Sequence, residues 1–239
     1  MFGHAAGGQA DALEGGMNVL IVYAHHEPTS LTAAMKNVAL TQLSQKNDNV
    51  VVSDLYGEGF SPLAQKWDFV TTSGNHFNYM LEQRHAAHLD MAFSPDILGE
   101  IQKIQTAELV LFITPIWWFS VPAILKGWFD RVLAMGVAWD GGRIYEDGLL
   151  RGKQAMLIAA AGGPEIYYHE NGRHKASVLQ VLHPINHGTL AFCGFNVHEP
   201  FVVLNSLGMD SAGRAEALKD LRFRIDNLTT SPEWLTYYG

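Results

Sequence analysis

The chain has 239 residues, with 16 basic against 24 acidic side chains, a net charge of −8, and 48% hydrophobic against 17% charged residues. That length fits one α/β domain. The acidic balance argues against a phosphate-backbone surface, and so against nucleic acid as partner, and no apolar run approaches the ~18 residues a membrane span needs. The single cysteine, Cys193, excludes an internal disulfide and a cysteine-cluster metal site, which makes the cytoplasm the expected location.

Residues 1–16 are rich in Gly and Ala, carry Asp11 and Glu14, and lack both a basic start and an apolar stretch. They read as a disordered leader or tag and not as a signal peptide, with Met17 as the original start and 17–239 as a single domain. From there apolar strands alternate with amphipathic helices, the pattern of repeated strand-helix-strand units around a parallel sheet. Residues 19–24, Val-Leu-Ile-Val-Tyr-Ala, predict the first strand. Thr29 or Ser30 caps a helix in which Leu31, Ala34, Met35 and Val38 share a face. Residues 49–54 predict a second strand. The stretch 56–94 has no clear period and is long for a loop in a compact domain, which points to a segment covering a site or a partner. Ser94-Pro95-Asp96 starts the next helix, with Ile97, Ile101 and Ile104 inward.

Residues 109–113, Leu-Val-Leu-Phe-Ile, read as a fully buried strand because they are apolar without alternation. Pro115 stops it and Val121-Pro122 opens a helix, so Ile116, Trp117, Trp118 and Phe119 lie on a strand-to-helix loop. Ligands of an open parallel sheet sit beyond the carboxyl ends of its strands, and an aromatic wall there suits a flat ring system. The same aromatics also suit a core or a dimer interface. A turn at Trp139-Asp140-Gly141-Gly142 precedes a strand over 155–161, ended by Gly162-Gly163-Pro164. A helix over 178–190 leads to a last strand over 196–204, which the internal Pro200 marks as an edge. The closing helix, 211–228, carries Leu218, Leu221, Ile225 and Leu228 at helical spacing. Five strands and five helices in this order predict a flavodoxin-like, doubly wound parallel sheet ordered 2-1-3-4-5, with helices on both faces.

That topology brings together the loop His25-His26-Glu27-Pro28-Thr29-Ser30, the tryptophan loop and Gly162-Gly163. Hydroxyls and free N–H groups at a helix start suit a phosphate or diphosphate, although a helix cap alone also accounts for Thr29 and Ser30. The glycines let backbone approach a planar ring, although Gly-Gly-Pro is also a plain turn. Tyr168 and His174 follow on a loop over the same face, a phenol and an imidazole able to stabilise and protonate an oxyanion. A loop histidine in a chain with eleven of them is also commonly just solvated. No Gly-x-Gly-x-x-Gly fingerprint, Walker loop or nucleophile elbow is present, and a flavin is the ligand best matched to the pocket. His183 and His187, four apart on a helix, could clip a metal but lack a third ligand in reach by sequence.

These residues resemble the NAD(P)H:quinone oxidoreductase family, the DT-diaphorase-like flavoproteins, which includes bacterial quinone reductases and ancillary proteins of potassium-efflux systems. The likeness runs from Met17 to the last helix. It is carried by Leu20-Ile21-Val22-Tyr23-Ala24-His25 with Glu27 and Thr29-Ser30, by Ser53-Asp54-Leu55-Tyr56, by the run 115–131, and by Gly188 with Phe192-Cys193-Gly194-Phe195. The resemblance implies a non-covalent flavin, FAD rather than FMN, reduced by NADPH or NADH, which leaves so that a quinone takes its place in a ping-pong exchange. By the resemblance, His25, Thr29, Ser30, Leu31, Thr32 and Ala34 hold the ribityl-diphosphate part. Pro115, Ile116, Trp117, Trp118 and Phe119 line the isoalloxazine, and Ala161, Gly162 and Gly163 meet its pyrimidine side. Asn78, Asp130 and, by a one-residue shift, Arg214 match positions near the adenine half.

Tyr168 and His174 fall on the family's charge-relay Tyr and His. Trp139 and Phe192, with Gly162 and His174, match the substrate slot of a homodimer. Two departures are visible: Leu31-Thr32 stands where many relatives have Phe-Asn, and His187 with Ala191 stands where some relatives have two metal-binding histidines, so no metal site is implied. A regulatory subunit docking on a membrane transporter and a nitro- or azo-reductase on the same site are the alternative readings.

Overall fold

The computed structural model describes residues 16–46 and 48–228, so the expectation for the leader falls, apart from Gly16, outside the described residues. Strands β1 (Asn18–Tyr23), β2 (Asn49–Asp54), β3 (Leu109–Pro115), β4 (Gln154–Ala160), β5 (Asn196–Val197) and β6 (Phe201–Val203) form one parallel sheet ordered β2-β1-β3-β4-β5, with β6 also pairing β4. The expected order 2-1-3-4-5 holds. The fifth strand differs: instead of one strand over 196–204 there are two short ones against successive parts of β4. Pro200 lies between them, where its missing N–H interrupts the ladder.

Because successive strand residues point to opposite faces, β1 and β3 divide their apolar side chains between two layers. Val19, Ile21, Leu109, Leu111 and Ile113 pack with α1 (Leu31–Gln45) and α6 (Ser211–Asp226). Leu20, Val22, Val110 and Phe112 pack with α3 (Pro95–Thr106), α4 (Ala123–Val132) and α5 (Val178–Ile185). The buried face of α1 carries Leu31, Thr32, Met35, Ala39 and Leu43, whereas Ala34 and Val38 are only partly covered. Trp128 of α4 is fully buried, edge-on to Phe112 at 5.7 Å, and its indole N–H donates to Glu100 Oε2 at 2.7 Å.

The long segment 56–94 is not an unstructured cover. It contains a short 3-10 turn, Lys66–Asp68, and a ten-residue helix, α2 (Tyr79–His88), that sequence periodicity does not reveal. The helix expected over 178–190 ends at Ile185 with Pro184 inside it, and widens into a π-type turn, Asn186–Leu190.

Candidate active site

A cavity of about 600 Å³ opens beyond the carboxyl ends of β1, β3 and β4, lined by His25, Ser30, Leu31, Thr32, the run 115–118, Ala160, Gly162, Ser206, Leu207 and Arg214. Each wall has a local cause. Ser30 caps α1, its hydroxyl accepting from Ala33 N–H at 3.0 Å, which leaves first-turn N–H groups free for an anion. Arg214 of α6 donates to the carbonyls of Thr29 and Ser30 at 2.9 and 3.0 Å and so sets a fixed positive charge beside that helix start. Thr29 donates through both N–H and hydroxyl to Glu27 Oε1, and these bonds hold the Glu27 carboxyl below the usual range. The Glu27 backbone N–H donates to His25 Nδ1 at 2.9 Å, so the neutral ring keeps its proton on Nε2. Burial, and the His26 ring stacked at 5.1 Å, lower the His25 pKa and favour that neutral form.

The opposite wall is strained. Trp117 and Ser120 exchange backbone hydrogen bonds at 2.9 and 3.0 Å across a two-residue turn whose central residues, Trp118 and Phe119, have φ of 51° and 59°. Tight hairpin turns of this hand normally call for Gly or Asn, and bulky side chains held there cost of order 1–3 kcal/mol each. The turn leaves Trp118 96% exposed at the cavity rim. Phe119 meets His174 edge-on at 4.8 Å, and Tyr168 meets the same imidazole at 4.7 Å. A Cβ placed on Gly163 would stand 3.5 Å from both the Tyr168 hydroxyl and His174 Nε2, so this pair sits directly over the glycine. Burial raises the Tyr168 pKa and keeps it a phenol.

Ten of the anticipated residues line this cavity, and Phe119, Gly163, Tyr168 and His174 stand next to its wall. Thr29 and Ala34 lie outside the lining, the first anchoring the loop and the second within α1; Ala161 is buried behind it. Ser206 and Leu207 were not anticipated. Their loop follows β6 and is tied down by bonds from Asn205 N–H to Gly163 O and Ser206 N–H to Ala161 O, 2.8 and 2.9 Å. Leu207, 90% exposed, overhangs Gly162, where an added Cβ would meet its Cδ1 at 2.7 Å. The rule that sites gather at strand ends was the available signal, hidden by the unseen division of β5 from β6.

Four other residues, Asn78, Asp130, Trp139 and Phe192, lie apart from this cavity. Asp130, Trp139 and Phe192 line a second one of about 320 Å³, with Tyr79, Met80, Gln83 and Lys126. Asn78 lines neither cavity and caps α2 by accepting from Leu81 N–H at 3.2 Å. His183 and His187 stack face to face at 4.9 Å, and among the described residues no cluster of metal ligands is found.

The family profile described as the flavodoxin-like fold matches residues 17–225. The human ribosyldihydronicotinamide dehydrogenase [quinone] is 46% identical over 187 residues, covering 77% of this chain and 80% of its own. Rat NAD(P)H dehydrogenase [quinone] 1 is 38% identical over 211 residues, covering 87% of this chain and 76% of its own. A solved structure from Klebsiella pneumoniae, described as a candidate quinone reductase, superposes with a TM-score of 0.86 at 36% identity, covering 91% of this chain and 87% of that one.

Proposed function

This chain belongs to the NAD(P)H:quinone oxidoreductase family of flavodoxin-like proteins, and from that premise we propose that it is an FAD-dependent quinone reductase working by a ping-pong exchange. The single observation that carries the reading is the cavity in which Ser30, Arg214, Trp118 and Gly162 meet, with Tyr168 and His174 at its edge. The fit is chemical as well as spatial. Free N–H groups and Arg214 suit a diphosphate, an exposed indole suits a tricyclic ring, and the glycine pair lets Leu207, Tyr168 and His174 come close to the backbone at the slot's edge.

When bound, the flavin supplies a two-electron relay from the nicotinamide nucleotide to the quinone. The remaining work falls to the chain. Trp117, Trp118 and Phe119 exclude water and orient whatever stacks in the slot, setting a donor-acceptor approach of about 3–3.5 Å. Tyr168 and His174 hold a movable proton where charge develops on the acceptor oxygen. Arg214 and the start of α1 fix the anionic tail. The nucleotide and then the quinone take turns in the same slot.

Trp139 and Phe192 face each other edge-on at 5.5 Å in the second cavity. Their separation from Trp118 within one chain favours a homodimer in which the partner supplies them. Flat nitro and azo compounds would use the same aromatic contacts, so their turnover relative to a quinone ranks the acceptors. The purified protein is expected to be yellow, its visible absorbance bleached by NADPH or NADH and restored by a quinone, and mass analysis of the extracted cofactor to return FAD. A colourless protein that neither FAD nor FMN reconstitutes overturns the proposal.

A further inference from the structure

The helix hidden in the segment 56–94 is docked against the loop that carries Trp139 by hydrogen bonds, a close approach at a glycine and an ion pair. Gln83, buried on α2, donates through its amide N–H to the Asp130 carbonyl at 2.8 Å and accepts from Met135 N–H at 3.3 Å. Gly136, at φ +87°, lies so close that an added Cβ would stand 2.8 Å from Ala87 Cβ and 3.5 Å from Arg84 Cα. Gly136 N–H in turn donates to the Trp139 carbonyl at 2.7 Å, and the Trp139 indole N–H to Leu133 O at 3.2 Å. The next residue, Asp140, is ion-paired to Arg84, Nε to Oδ1 at 3.1 Å, with His88 Nε2 at 3.9 Å from its other oxygen. The carboxylate of Asp140 is 16% exposed, so this pair is partly shielded from solvent. The far side of α2 is itself fastened, by Tyr79 O–H donating to the buried Asp68 and by Glu82 accepting from Ser73.

We propose that α2 is the positioning element of the acceptor slot, with Arg84 acting through Asp140 to fix the depth at which the Trp139 indole is presented. This rests on the reading that Trp139 forms part of that slot. Arg84 contacts no reacting atom; it determines how closely a flat acceptor is gripped, and so which acceptors are preferred.

The test is a charge-reversal cycle on the flavin-loaded enzyme, Arg84→Asp, Asp140→Arg and both together, with Trp139→Ala measured alone and combined with Arg84→Asp. Each reversal is expected to raise KM for a bulky flat quinone by about two- to fivefold, the range a half-exposed ion pair supplies, with little change in kcat. The double reversal is expected to restore it, and Arg84→Asp to add nothing in the Trp139→Ala background. Single reversals that leave KM unchanged while Trp139→Ala raises it overturn the role of Arg84 and keep the slot. An unchanged KM in Trp139→Ala overturns the slot assignment and the positioning role with it. If Asp140→Arg does not fold, Arg84→Gln, which removes only the charge, carries the same comparison.

Discussion

Tyr168 meets the His174 ring at 4.7 Å, and burial pushes its phenol above the ordinary 10.0. A group raised in this way keeps its proton through the neutral and mildly alkaline range. Turnover that depends on the phenol as donor should therefore hold until the pH passes that ordinary value, and any acid limb belongs to another group. Tyr168→Phe combined with His174→Ala is expected to lower quinone kcat by about 10²-fold, the lower end of general acid-base contributions, while the flavin stays bound by the remaining walls. Steady-state turnover with a parallel flavin-to-protein ratio checks both halves of that statement; an unchanged kcat removes the catalytic role. At this scale the sequence was informative where chemistry and position coincide. Trp117, Trp118 and Gly162 could be placed because each follows a strand whose apolar run is unmistakable. Leu207 could not, since a lone leucine in a Ser-Leu-Gly loop has no chemical signature and gains its place only from the fold.

Elements were legible in proportion to how apolar their buried faces are. β3 presents seven consecutive buried residues and α3 turns Ile97, Ile101 and Ile104 inward. By contrast α2 buries Glu82, Gln83 and Ala86, so its inward stripe is polar and periodicity of hydrophobicity cannot report it. What holds that segment is a charge network. Arg131, 3% exposed, donates to both oxygens of the fully buried Asp68 at 2.9 and 3.1 Å and to Asp96 at 2.8 Å. Removing one partner from such a network leaves an uncompensated buried charge. Arg131→Ala is therefore expected to cost about 3–5 kcal/mol in urea unfolding. Lys219→Ala, which breaks the 2.8 Å pair with Glu216, should shift unfolding far less, because solvent screens that exposed pair. Equal effects from the two changes would mean that the buried network contributes no more than surface charge.

The whole molecule presents its aromatic chemistry in two places. Trp118, with Phe119, Tyr168 and His174, stands beyond the ends of β3 and β4, and Trp139 with Phe192 stands beside α2 and α4. In the proposed homodimer, which residues share a slot depends on how two copies meet, so no pattern within one chain's sequence separates these sets. A two-fold axis would bring each set against the other set of the second copy. Complementation tests this directly. One chain carries Tyr168→Phe with His174→Ala and the other Trp139→Ala with Phe192→Ala, so either alone forms dimers with no intact site. Coexpressed, they should regain about a quarter of wild-type activity, because random pairing makes half of the dimers mixed and each mixed dimer has one intact site of two. If each site is built within one chain, every site in the mixture carries one lesion or the other and no activity returns. That result, or a mass of one chain in sedimentation, would overturn the slot shared between two copies.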